Sequence, residues 1–336
     1  MVTQLTEISN TNKLNTLNHQ KIASKIQEII SDHLDNIWSL FKRAIYKVGR
    51  IIYSVPLFKK IVDQNYDAKV AQYQASLPKL NAEDQAILDT LDKTGTVAIP
   101  IEDLKLESTA SFLEKTTSLV DELKSIPKKE QIVIDLDPRK FKDCPEIFLW
   151  GMEERLLNII EYYIGLPIYY QGCALRRDIV TKNSDINSVR NWHLDAEDRM
   201  VVKIIVYFND VGLDGGHYEY IPKDLTKKAV KELNYDLGYL DDQAIMDVVS
   251  KDDWAKCPGK FGTVIITNTS KIFHRAKPPE KEDRFSISFC YTSNKPRYNW
   301  NCASFPNNLE QIRNQLSEKQ RKALINKNKF FGMKLC

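Results

Sequence analysis

Apolar residues recur at three- and four-residue steps between Lys21 and Tyr53. Ile22, Ile26, Ile29 and Ile30 lead into Leu34, Ile37, Phe41, Ile45, Val48 and Ile52. The spacing predicts a helix that Pro56 ends or kinks. The polar residues 1–20 predict a frayed lead-in. Helical spacing continues over 63–92 with a break at Pro78. Asn81 is placed to cap a helix whose first turn carries Glu83 and Asp84, and Gly95 stops it. A short strand is expected at Thr96–Pro100, helices at Ser111–Lys124 and Glu146–Ile164, and an alternating strand at Gln131–Leu136.

From Ile168 the pattern shortens. β-rich runs recur between turn residues at Ile168–Asp178, Trp192–Asp195, Met200–Phe208, His217–Ile221, Thr263–Thr267 and Phe285–Tyr291. Such a succession predicts a sandwich or barrel rather than an alternating β/α sheet. A helical insertion interrupts it at about 225–249, and helical spacing returns from Asn308 to about Asn326. The expected organisation is a helical N-terminal extension (1–92), a β-rich core (93–306) and a C-terminal helix and tail (307–336).

Composition narrows the class. Of the 336 residues, 48 are basic and 45 acidic, a net charge of +3 that gives no reason to expect a nucleic-acid partner. Lys42, Arg43, Lys47, Arg50, Lys59 and Lys60 crowd the first helical region. A basic amphipathic helix over 21–60 can lie on an anionic membrane surface, but an apolar stripe packed on a core, with its basic face in water, is the favoured reading. The six cysteines show no CxxC spacing and the N-terminus lacks the apolar run of a signal peptide, so reduced thiols and a cytoplasmic location are expected.

The chemistry concentrates between Asn191 and Tyr291. Read as a strand, Trp192-His193-Leu194-Asp195 puts His193 and Asp195 on one face, because side chains alternate with period two. With His274 they make two imidazoles and one carboxylate. Such a set occupies one face of an octahedral metal and leaves three positions open, as in non-haem Fe(II) oxygenases. Arg284, Ser286 and Ser288 share a face of the last strand, and a guanidinium buried there asks for an anion. A dicarboxylate could pair its far end with Arg284 and Ser286 while its 2-oxo-acid end chelates iron. His217 is the alternative ligand, but is read first as a core or pocket residue; Lys203 could meet the co-substrate, but is read first as a side chain reaching the barrel edge.

These motifs resemble the Fe(II)/2-oxoglutarate-dependent dioxygenases, in particular the phytanoyl-CoA hydroxylase-like family. The stretches YFNDVGLDGGHYEYIPKDL and FGTVIITNTSKIFHRAKPPEKEDRFSISFCY carry the likeness, which runs from about Gly95 to Tyr291. The resemblance implies a mixed α+β fold, a double-stranded β-helix (cupin-like jelly roll) flanked by helices. It also implies metal ligation by His193, Asp195 and His274, 2-oxoglutarate binding by Arg284, and O2 as co-substrate. Pro222-Lys223-Asp224-Leu225 departs from the family's Pro-Gly-Ser-His.

A carboxylate at 195 points to hydroxylation, desaturation or oxidative cyclisation. The expected substrate is a small anionic compound of specialised metabolism. Arg176, Arg177, Trp192, Tyr218 and Arg275 are its candidate contacts, within a basic rim that includes Lys182, Arg190, Arg199 and Lys277. The competing readings are a non-catalytic cupin-like binding protein and a membrane-recruited dioxygenase acting on a lipid-linked substrate.

Overall fold

The computed structural model describes residues 56–128, 131–181, 190–297 and 312–325. The chain divides between Gln72 and Tyr73 into two compact units. The expected helix over Lys21–Tyr53, with most of its basic cluster, lies outside the described residues. Helix α1 (Pro56–Tyr73) leads up to the division, and the second unit carries everything that follows. Among the described residues, no helix is long and apolar enough to cross a membrane.

Helix α2 (Ala82–Thr94) starts where the cap residue places it: the Asn81 side chain accepts from the Asp84 amide at 2.7 Å. Gly95 ends it in the left-handed region (φ 89°), donating its amide to the Leu91 carbonyl. Strand β1 (Thr96–Pro100) and helix α3 (Thr109–Ser125) follow as expected. The single helix expected at Glu146–Ile164 is two, α4 (Pro145–Trp150) and α5 (Glu154–Ile164). Gly151 separates them beneath Tyr170 and Phe289, where a Cβ would sit 2.5 Å from a Phe289 ring carbon, and its carbonyl accepts from the Tyr291 hydroxyl.

Two antiparallel sheets form the β-rich core. The larger runs β1-β7-β4-β9-β3-β2, with β2 Val133–Asp135, β3 Ile168–Asp178, β4 Val202–Tyr207, β7 Thr263–Asn268 and β9 Arg284–Ser293. The smaller runs β6-β5-β8, with β5 Tyr218–Tyr220, β6 Ala255–Cys257 and β8 His274–Ala276. Alternation assigns the faces of the larger sheet. Val202, Ile204 and Val206 of β4, with Val264, Ile266, Ile287 and Phe289, join the apolar core formed with the helices. Lys203, Ile205 and Tyr207 point the other way. Tyr207 joins the sheets directly: its hydroxyl donates to the Cys257 carbonyl and accepts from the Tyr218 amide.

The insertion forms two short helices, α6 (Lys223–Glu232) and α7 (Asp242–Met246), around a small core of Trp192, Ile221, Ala229, Ile245, Val249, Trp254 and Phe273. The expected C-terminal helix is interrupted by a turn after residue 313, and helix α8 (Glu318–Ala323) starts anew from the Ser317 cap. Cys144, Cys173, Cys257 and Cys290 are free thiols.

A Cβ at Gly95 would meet Ile272 Cγ2 at 2.3 Å. Gly95→Ala combines that overlap with a positive φ. It should lower unfolding stability by about 1–3 kcal/mol, seen as a lower urea midpoint with unchanged slope.

Candidate functional site

Trp192–Asp195 is not the regular strand that alternation suggested. Trp192 bridges Leu240 and His193 bridges His274, each as an isolated antiparallel pair, and Asp195 lies beyond them. The His193 amide donates to the His274 carbonyl at 3.2 Å, and the His274 amide returns the bond at 3.1 Å. The Asp195 amide donates to the Thr269 carbonyl at 2.9 Å. Three residues distant in sequence are thereby brought together by backbone bonds, before any ligand contributes.

The side chains then converge. His193 Nε2 lies 3.7 Å from Asp195 Oδ1, and His274 Nε2 lies 3.8 Å from Asp195 Oδ2. Ligand atoms of the three residues all fall within 4.8 Å of one another, the one such group among the described residues. Cis ligands around a metal at about 2.1 Å stand roughly 3 Å apart, so a modest side-chain adjustment closes the set. His193 Nδ1 sits 2.9 Å from the Asn191 carbonyl, and His274 Nδ1 3.2 Å from the Ile272 carbonyl. A carbonyl only accepts, so the hydrogen is on Nδ1 and the lone pair on Nε2 faces the shared centre.

Electrostatics agree with a cation site. Burial, with His193 alongside, pushes the His274 imidazole down to about 3, and burial also lowers His193, so both rings are neutral donors. Burial alone would raise Asp195, but the Lys203 ammonium outweighs it and holds the carboxyl below the usual range. Lys203 Nζ lies 2.6 Å from Asp195 Oδ2. The expected route of Lys203 to the barrel edge is therefore corrected: its head sits at the centre of the site. Glu197, 6% exposed, is a second acid beside it, pushed up to about 7 by burial and by Asp195.

Arg284 is buried on the expected face but not open-handed. Its Nη2 pairs with Asp178 at 2.7 Å, and its Nη1 donates to the Gly216 carbonyl. Arg284 Nε and Asp178 Oδ1 are buried with no hydrogen-bond partner, and Ser286 is buried beside them. A guanidinium in the interior needs a counter-charge, and Asp178 supplies it as the register partner of Arg284 across β3 and β9.

The candidate substrate contacts divide. Tyr218 lies inside, its ring 5.8 Å from that of His274 and its hydroxyl 2.9 Å from Thr267 Oγ1. Arg176 is on the interior face of β3, one third exposed, and pairs with Asp135 at 2.8 Å. Arg177 is on the opposite face, paired with Asp283 and donating to the Leu123, Lys124 and Ile126 carbonyls.

Trp192 and Arg275 are also engaged within the protein. The Arg275 guanidinium lies 4.6 Å over the Trp192 ring and 5.4 Å from that of Trp254, and pairs with Glu219 and Asp242. Trp192 Nε1 donates to Asp242. These residues clamp the backs of the two ligand segments to the insertion. His217 is buried against Glu219 at 3.2 Å, as a core residue.

Of the basic rim, Arg190 donates to the Ile132 and Ile179 carbonyls, and Lys277 pairs with Glu280. Lys182 lies outside the described residues. Tyr239, which sequence reasoning missed, places its ring 5.1 Å from that of His193 while staying 44% exposed. Nothing in its local sequence marked it, because the Trp192–Leu240 bridge is what brings it there.

No family model matches the chain, and no curated protein matches it. Solved structures do align with it. HygX from Streptomyces hygroscopicus, with nickel and 2-oxoglutarate bound, is 18% identical with a TM-score of 0.44, covering 66% of this chain and 90% of that one. The carbocyclase SnoK from nogalamycin biosynthesis is 13% identical with a TM-score of 0.45, covering 71% and 92%. EctD from S. alaskensis, with 2-oxoglutarate and 5-hydroxyectoine, is 15% identical with a TM-score of 0.44, covering 65% and 79%.

The clamp is testable apart from any activity. Arg275→Met leaves Glu219 buried without its cation and should cost about 3–5 kcal/mol in chemical unfolding. Burial would raise the Glu219 carboxyl, but His217 and Arg275 bring it down to about 2. The stability it contributes is complete above its unfolded value near 4.5 and is lost as pH falls toward 2. That acid-dependent loss should be smaller in Arg275→Met.

Proposed function

We propose that the protein is an Fe(II)- and 2-oxoglutarate-dependent oxygenase acting on a small anionic metabolite. The observation that carries this reading is the pair of imidazoles whose Nδ1 atoms are tied to backbone carbonyls while both Nε2 atoms face Asp195. The donor set is two neutral nitrogens and one carboxylate, which suits a facially bound divalent iron. The resemblance to the phytanoyl-CoA hydroxylase-like family and its double-stranded β-helix belongs to the same proposal, supported by the sequence motifs and by two antiparallel sheets joined through Tyr207.

His193, Asp195 and His274 would hold the metal, and Arg284 with Ser286 would receive the far carboxylate of 2-oxoglutarate. Bound iron, with 2-oxoglutarate and O2, supplies the oxidising power for an unactivated C–H, releasing succinate and CO2. The chain's own residues set the stage for that chemistry. The carbonyls of Asn191 and Ile272 fix the ring tautomers, Tyr218 closes the interior side of His274, and Tyr239 lies over the ring of His193. Arg176 is the proposed contact for an anionic substrate. Hydroxylation, desaturation and ring closure all suit a site that keeps its carboxylate.

A non-catalytic small-ligand barrel is the second reading, favoured by the charge that Asp178 already supplies to Arg284. Iron-dependent succinate formation from 2-oxoglutarate separates the two. Asp195→Ala should lower divalent-metal affinity by about 100-fold or more and abolish succinate formation. Arg284→Lys keeps a cation opposite Asp178 but loses the fork. It should raise KM for 2-oxoglutarate about tenfold, roughly 1.4 kcal/mol, and leave metal affinity unchanged. Succinate formation that survives Asp195→Ala would place the chemistry elsewhere.

A further inference from the structure

Lys203 is the one charged residue of β4, in VKIIVY, a strand hydrogen-bonded on both sides. Its backbone is held in register with Thr267 of β7 and Cys290 of β9, so the stem leaves from a fixed point. The ammonium ends 2.6 Å from Asp195 Oδ2, yet the side chain is 25% exposed. The side chain therefore borders space that a ligand can reach, while the carboxylate it neutralises is 10% exposed.

The charges explain why it is there. An ionised carboxylate between two neutral imidazoles and little water requires a nearby cation. Lys203 is that cation, and it occupies the oxygen that faces His274 Nε2. A divalent metal drawn to the same carboxylate meets a positive charge already in place, and the two repel at short range. Adding the metal changes the local charge by +2, and a dianion changes it by −2. Glu197 is a further buried acid whose charge acts on both Asp195 and Lys203.

We propose that Lys203 is a counter-ion shared between Asp195 and the co-substrate: its ammonium neutralises the carboxylate before metal binds, and pairs with the carboxylate of the incoming 2-oxo acid once a divalent metal has taken Asp195. This rests on the metal-centre reading above and adds a property to it. The metal and the 2-oxo acid bind cooperatively, because metal on Asp195 frees Lys203 for the 2-oxo acid, and the 2-oxo acid draws Lys203 away from Asp195. Lys203 serves the end of the co-substrate nearest the metal ligands, and Arg284 the far end. Coupling of this kind is reciprocal, so each ligand raises the affinity of the other by the same factor.

Calorimetric titration with Ni2+, with and without 2-oxoglutarate, tests this on the full chain as wild type, Lys203→Met and Lys203→Arg. Without 2-oxoglutarate, Lys203→Met should bind Ni2+ at least tenfold more tightly than wild type, because the competing cation is gone. The enhancement of Ni2+ affinity by 2-oxoglutarate should fall at least tenfold in Lys203→Met and persist in Lys203→Arg. The Ni2+-induced rise in thermal midpoint gives a second measure, which compares each variant with itself, and Lys203→Gln replaces Lys203→Met if the latter does not fold. Unchanged cooperativity in the neutral variants, or weaker Ni2+ binding in them without 2-oxoglutarate, overturns the role given to Lys203 and leaves the metal centre standing. A wild-type chain with no Asp195-dependent Ni2+ binding overturns both.

Discussion

Two amide–carbonyl bonds between His193 and His274 are the constraint on which the site depends. Neither ring could find the other through side-chain attraction alone, because two neutral imidazoles gain little from proximity. The backbone pair sets their spacing, and the Asp195 amide then closes on the Thr269 carbonyl to bring in the carboxylate. The turn that follows is secured in the same way, by the Val201 amide on Ser270 Oγ and the Ser270 hydroxyl on the Arg199 carbonyl. The larger sheet contributes stiffness: β4 and β7, which border these turns, are paired along their length.

Burying this many charges near one centre is tolerable because each has a partner across a strand register or a short loop. Arg284 faces Asp178, Arg177 faces Asp283, Arg275 faces Glu219 and Asp242, and Asp195 faces Lys203. Such pairs rarely add net stability, but losing one member is costly. They therefore act as a set of matched keys: they specify which strand lies beside which, and they penalise a slipped register.

Much of this was readable in the residues. Period-two alternation identified the strands of the larger sheet and β5 but not β6 or β8, Asn81 and Gly95 marked the ends of a helix, and the imidazole–carboxylate spacing singled out the three residues that do converge. What sequence could not supply was the partner of each charge. Asp178, Asp283, Glu219 and Asp242 are far in sequence from the arginines they meet, so Arg177 and Arg275 looked available when both are committed to the scaffold. Lys203 was visible as a charge interrupting an apolar run, but its destination depended on where the loop holding Asp195 would fall. The helix expected at Glu146–Ile164 was split for a similar reason, since the close approach of Phe289 and Tyr170 to Gly151 is set by tertiary packing.

The segment around Tyr239 is fastened on both sides of its tip. The Tyr235 hydroxyl donates to the Gly238 carbonyl, and the Leu240 backbone exchanges hydrogen bonds with Trp192. Between these fastenings one aromatic ring projects beside His193 without itself supporting the scaffold. Such a layout uncouples the shape of the opening from the spacing of the centre: another side chain could stand in place of that ring without loosening the anchored flanks.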